Sequence, residues 1–321
     1  MNEDVLEKLQ AFNFPIPWRG SPGRALPSRP LRFLYLFAGP ERRSSIGHFL
    51  QMYIDGTIFT EVVAEEVDIL RGPSHDLLDA ERQVAYVSAV SQGSYHVVMI
   101  SAAWTRAVWA NRRGPKPMRS QAHPWGFPWL EPGERQTCQE ANAMITFALA
   151  ILEAAAAANQ QGLAVAAIKE HPEDLGRTST GRPASIWQLP RMRALIQSGV
   201  ITFAFHQCFF DAELAKPTRF MTNVAGLQEH WTAGWPILSA DGRYLGPLPL
   251  ACGHHHPRTA DGSAEGKAIL ARSAAFTGKM NEWIAKHVVK YLTLPSPPLA
   301  GGGSVETTGA TGEATSGATS G

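Results

Sequence analysis

A chain of 321 residues that is 44% hydrophobic can bury the core of one large domain of roughly 250 residues. Its net charge of +1 excludes a polyanion binder that works through whole-molecule charge, so any nucleic-acid argument must rest on local patches. The three cysteines, Cys138, Cys208 and Cys252, are too few and too scattered for a disulfide framework, which points to a reducing, intracellular setting, nuclear or cytoplasmic.

The amino terminus, MNEDVLEKLQAFNF, is acidic and amphipathic, unlike a basic-then-apolar secretory leader, and predicts a short helix. Residues 15–30, PIPWRGSPGRALPSRP, suit an extended connector, because proline and glycine cannot fill a helix interior. Residues 1–30 are therefore set apart from a domain spanning 31–293. Within it, apolar runs rich in β-branched or aromatic residues at 31–37, 60–67, 96–101, 163–170, 200–207 and 219–223 predict strands. An alanine-rich helix stopped by Gly162 and an amphipathic helix, GKMNEWIAKHVVKYL, are the clearest helical segments. Their alternation predicts an α/β fold, Rossmann-like and doubly wound, with a mostly parallel sheet and helices on both faces. No stretch reaches the ~18 uninterrupted apolar residues of a membrane span, so no membrane partner is expected. The segment 294–321, rich in glycine, serine and threonine, is predicted to be disordered because it has too little apolar surface to offset ordering entropy.

The first strand ends in LFAGPERRSSIGHFL, where Gly39 would let a nucleotide-like ligand approach the backbone. The three spaced glycines of the dinucleotide fingerprint are missing, which argues against NAD and FAD. At the tip of the second strand, Glu66 is placed to accept both hydroxyls of a ribose, with Asp68 as a substitute. Asp76, in GPSHDLLDAER, could accept from an exocyclic adenine amine; the bland alternative for each of these acids is a loop residue or a helix cap.

LFAGP, AEEVD and HDLLD resemble the first three motifs of class I S-adenosylmethionine-dependent methyltransferases. The later segments ANRRGPKPMRSQAHPWGFPWL, EHPEDLG, PASIWQLP and HQCFFDAELAKPTRFMTN resemble a divergent cytosine-5 methyltransferase-like family, and the likeness covers most of residues 31–292. It implies S-adenosylmethionine as cofactor, with contacts from Phe37, Ala38, Gly39, Glu66, Asp76 and Leu77, and nucleic acid, DNA or RNA, as the substrate class. Cytosine-5 methylation needs a thiolate to add to the pyrimidine ring before its carbon can attack a methyl group. The family places that cysteine in a Pro-Cys turn after the fourth strand, where this chain reads MISAAWTRAVW. One alignment register puts Trp104 at the cysteine position and another puts Ser101 there, so the turn is shortened as well as substituted. SAAW is also similar to the Ser-Pro-Pro-aromatic motif of exocyclic-amine methyltransferases, though both prolines are alanines here.

Glu170, in IKEHPEDLG, matches the glutamate of the family's sixth motif, which implies a hydrogen bond to the pyrimidine edge; pairing with Arg219 or a helix end is the alternative. Arg219, near Lys216 in AKPTRFMTN, inherits the role of steadying the base or its phosphates. Residues 97–130 hold Arg106, Arg112, Arg113, Lys116 and Arg119 and no acid, interleaved with tryptophans, a combination suited to phosphate and base stacking. A rigid packed loop is the competing reading. In LACGHHHPRTADG, an extended backbone puts Cys252, His254 and His256 on one side as zinc-type ligands, with His206 or Cys208 as the fourth. A hydrogen-bonded loop is the plainer reading there. The expectation is a methyltransferase-like protein, catalytically impaired by loss of the cysteine; the alternative is a non-catalytic module binding nucleic acid or protein through the basic loop and the Cys-His cluster.

Overall fold

The computed structural model describes residues 29–102, 104, 117–179, 181–195, 200–257 and 264–293. The predicted amino-terminal helix, residues 15–28 of the connector and the carboxyl-terminal tail lie outside them, whereas Arg29 and Pro30, assigned to the connector, open the first strand. Six strands form one sheet: β1 (Arg29–Leu36), β2 (Phe59–Val67), β3 (Val97–Ile100), β4 (Ala166–Pro172), β5 (Ile201–His206) and β6 (Pro217–Thr222), in the order β2-β1-β3-β4-β6-β5. The first four run parallel, and β6 is antiparallel to both of its neighbours. The fold is thus an α/β Rossmann-like sheet, mostly parallel. The antiparallel strand departs from a fully parallel dinucleotide-binding sheet.

Covering both faces is what permits strands as apolar as VVMI of β3, all four residues of which are buried. On one face Leu34, Leu36, Val98, Ile100 and Ala167 pack under α2 (Ala80–Ser91) and α3 (Pro132–Gln160). On the other, Leu31, Phe33, Val97, Met99 and Ile168 meet α1 (Ile46–Tyr53) and α6 (Gly278–Thr293). The apolar stripe of α6, with Met280, Ile284, Val288 and Leu292 four residues apart, is the signature of a helix lying on a sheet. A short helix, α4 (Pro190–Ala194), a hairpin of β7 (Ile237–Leu238) and β8 (Tyr244–Gly246), and α5 (Ala264–Arg272) complete the described elements.

Pro132 at its first turn and a capping box between Glu131 and Glu134 start α3. By length and mean hydropathy α3 could cross a membrane, but 89% of the apolar window is buried inside the fold, as in a core helix. Its one buried carboxylate, Glu153, is held by both Nε and Nη2 of Arg191 on α4, at 3.1 and 2.6 Å. At the far end of the sheet, Trp283 of α6 meets Phe210 and Phe205 at centroid distances of 4.9 and 5.9 Å. Each such pair contributes about 0.5–1.5 kcal/mol beyond area burial, which fastens the antiparallel strands to the helix layer.

Candidate functional site

From β1 the chain passes to β2 on one side, then returns to β3 on the other, so a crevice opens at the carboxyl ends of β1 and β3. The turn that leaves β1 is braced from several directions. Phe37 and Ala38 both donate their backbone N–H to the Val67 carbonyl, at 2.8 and 3.2 Å. Gly39 donates to Asp68 Oδ2 at 2.9 Å, and its carbonyl accepts from Arg71 Nε at 2.8 Å. Arg71 Nη2 also donates to Glu66 Oε2 at 2.5 Å. Gly39 has a φ of +72°, and a Cβ there would meet nothing within 4 Å, so the backbone faces open space.

That space is a cavity of 570 Å³, within the range of small-ligand sites. Phe37, Ala38, Gly39 and Glu66 line it from the first two strands, Ser101 from the end of β3, and Glu170 from β4. Of the three non-glycine residues with positive φ among the described residues, Phe37 and Lys216 line the cavity. Such strain concentrates at functional sites. Two acceptors of the lining residues, Glu66 Oε1 and Asn281 Oδ1, are buried with no hydrogen-bond partner. Glu170 is largely buried as a residue, lines the cavity, and its carboxylate makes no hydrogen bond or ion pair among the described residues.

Around Glu170 the cavity wall mixes neutral polar groups with charged ones. Burial, reinforced by the fields of Glu170 and Glu66, keeps the Tyr35 phenol protonated, and its oxygen lies 3.2 Å from Ser101 Oγ. Burial drives His171 well below its usual value, with the Lys169 charge adding to the effect, so its ring is neutral. Lys169, wholly buried and pushed down to about 8 by burial, donates to the backbone carbonyl of Glu170.

The other anticipated residues fall elsewhere. Asp76 and Leu77 do not line the cavity: Asp76 Oδ1 accepts from Leu78 N at 2.9 Å and Leu77 is in the core. Trp104 is buried, donating to Asn142 Oδ1 at 3.1 Å, with the Arg119 guanidinium 4.3 Å from its ring. Arg119 is itself fully buried and donates to Pro124 O and Asn142 Oδ1. This corner is a packed loop base. Arg106, Arg112, Arg113 and Lys116 lie outside the described residues. Arg219 pairs with Glu173, not Glu170: Nε and Nη2 reach the carboxylate at 3.1 and 2.6 Å, and Nη1 donates to Thr202 Oγ1 at 2.9 Å. The pair is completely buried. Sequence reasoning missed the contribution of α3, whose Thr137, Ala141 and Met144 line the cavity at helical spacing. The alternation was visible, but an alanine-rich helix gives no signal that its first turns face a ligand.

No family model, curated protein or solved structure matches the chain.

A second cluster lies away from the cavity. Cys208, in the turn after β5, joins Cys252, His254 and His256 from the loop after β8, with all four potential ligand atoms within 4.8 Å of one another. Cys208 Sγ is 3.4 Å from His254 Nδ1, and Cys252 Sγ is 3.0 Å from His256 Nε2. His206, the other candidate fourth ligand, instead points Nε2 at Pro249 O, 2.9 Å away.

Proposed function

We propose that the cavity binds S-adenosylmethionine or its demethylated product, and that the chain is a methyltransferase-like protein without the covalent mechanism of cytosine-5 enzymes. The observation that carries this reading is the meeting of Gly39, Glu66 and Glu170 in one cavity at the strand ends, with one Glu66 oxygen left without a hydrogen-bond partner. The donor set fits the ligand: a carboxylate oxygen with unused lone pairs suits ribose hydroxyls, and the open glycine backbone suits close approach. S-adenosylmethionine would supply an electrophilic methyl group. For their part, Glu66 would hold the sugar, Phe37 and Met144 would shield the site from water, and Glu170 would accept a hydrogen bond from a base edge.

The missing nucleophile supports the second half of the proposal. All three cysteines of the chain are placed, and none lines the cavity: Cys138 is buried between Met118 and Leu130, and the other two belong to the distant cluster. Ser101 reaches the cavity, but its hydroxyl partner is a neutral phenol, which cannot serve as the base that an alkoxide would need. Nucleic acid remains the substrate class that the basic segment before Arg119 favours.

Calorimetric titration of the full chain with S-adenosylmethionine and S-adenosylhomocysteine tests the reading. Micromolar binding of either, together with no methylation of cytosine-containing DNA or RNA, is the expected result. Absence of binding by both compounds sinks the cofactor assignment; efficient cytosine-5 methylation sinks the claim of a lost covalent step.

A further inference from the structure

We infer that Cys208, Cys252, His254 and His256 form a closed structural zinc site that clasps the loop after β8 to the turn after β5. The inference is independent of the methyltransferase reading. Two segments far apart in sequence bring two thiols and two imidazoles together with every potential ligand atom inside 4.8 Å. Zinc bonds of about 2.3 Å to sulfur and about 2.0–2.1 Å to nitrogen, at tetrahedral angles, put neighbouring S and N atoms about 3.5 Å apart. The observed S···N separations are 3.4 and 3.0 Å. Closing the second pair around an ion needs a shift of only a few tenths of an ångström.

The surroundings are those of a ligand set. His256 Nδ1 lies 2.8 Å from the Glu213 carbonyl, and donation there fixes the tautomer that leaves Nε2 with its lone pair facing Cys252. Phe209 packs edge-on against His254 at 5.6 Å, limiting its rotation. Two sulfurs and two nitrogens favour Zn²⁺ over the oxygen-seeking Mg²⁺ and Ca²⁺, and four protein ligands leave no open position for substrate, so the role is structural. His206 and Tyr244 anchor the loop's first residues, Pro249 and Leu248, but its ligand-bearing end is exposed at His255 and Pro257, and the two-stranded β7-β8 hairpin is short. A metal crosslink supplies the fastening that a larger apolar contact would otherwise give.

The test uses untagged, full-length protein from zinc-supplemented cells. Elemental analysis should find one zinc per chain, and cobalt substitution should give tetrahedral ligand-field bands with thiolate-to-cobalt charge transfer. Cys208→Ser, Cys252→Ser and His254→Ala should each weaken zinc binding by more than the ~10- to 100-fold typical of losing an outer partner, while His255→Ala leaves it unchanged. Should those variants fail to fold, the wild-type protein decides: alkylation of Cys252 should slow at least tenfold on adding zinc to chelator-treated chain, and thermal stability should rise with zinc but not magnesium. The inference is overturned by chain free of zinc that takes up no cobalt, by equal alkylation with and without zinc, by a Cys208–Cys252 disulfide in protein purified under reducing conditions, or by an equal loss in His255→Ala, the mark of adventitious surface chelation.

Discussion

A carboxylate with one oxygen tied to an arginine and the other buried without a partner is costly, about 1–3 kcal/mol for the unsatisfied group, unless a ligand meets it. Under the proposed cofactor assignment, a ribose hydroxyl held by Glu66 would offset that cost. Replacing it in Glu66→Gln removes the charge-assisted bonds, worth roughly 1.5–3 kcal/mol, so affinity for S-adenosylhomocysteine should fall about 10- to 100-fold. An analogue lacking the ribose hydroxyls should bind wild type and variant alike, which separates the sugar contact from general damage; an equal loss for both ligands refutes the assigned contact. The position of Glu66 at the second strand's tip, beside the Gly39 turn, was legible in sequence; its pairing with Arg71 was not. Asp76 looked equivalent in sequence, yet its Oδ1 is satisfied by Leu78 N only two residues away, a local competition that residue type alone does not reveal. Trp104 and Arg119 misled in a related way, since an arginine over an indole serves a packed corner as well as a base-binding face.

Among the elements, β3 was legible because a short apolar β-branched run buried on both faces has few other readings, and α6 because its stripe repeats at helical spacing. The direction of β6 was not: it follows from the short connection that folds the chain straight back from β5, and apolar pattern carries no direction. Inserting β6 beside β4 sets His171 opposite Arg219 and leaves that guanidinium inside the fold, where it ties β6 to the segment following β4 through Glu173. Burial raises the Glu173 carboxyl and the adjoining Arg219 charge opposes it, so the pair is stable only as a pair. Arg219→Met should therefore cost about 3–5 kcal/mol in denaturant unfolding by stranding the carboxylate, and Arg219→Met/Glu173→Leu should recover part of that loss. If the double variant is no more stable than the single one, the charge is not what the arginine is there to meet.

At the scale of the whole molecule, a near-neutral chain has placed two neutral histidines in its interior, and both should make it sensitive to acid. His96 Nδ1 accepts from the Arg32 backbone N–H at 3.0 Å, and burial, with the Arg29 and Arg32 charges added, pulls the ring down to about 4. Burial likewise lowers His171 well below the usual histidine value. For each, the folded value lies below the unfolded value of about 6.5, so the unfolded chain takes up protons first as pH falls. The contribution is complete above about 6.5 and is lost as pH drops; for His96 the loss is finished near 4 and amounts to at most about 3 kcal/mol. Glu153 and Glu173, raised by burial, act in the opposite sense, so the comparison between variants is more diagnostic than the wild-type profile. His96→Asn can keep the acceptor for Arg32 through its side-chain carbonyl while removing the titration. Its urea midpoint should fall less steeply than that of wild type between those two pH values, the difference corresponding to one proton; parallel profiles would mean that His96 is already charged in the fold, and that the hydrogen bond from Arg32 has been assigned to the wrong protonation state.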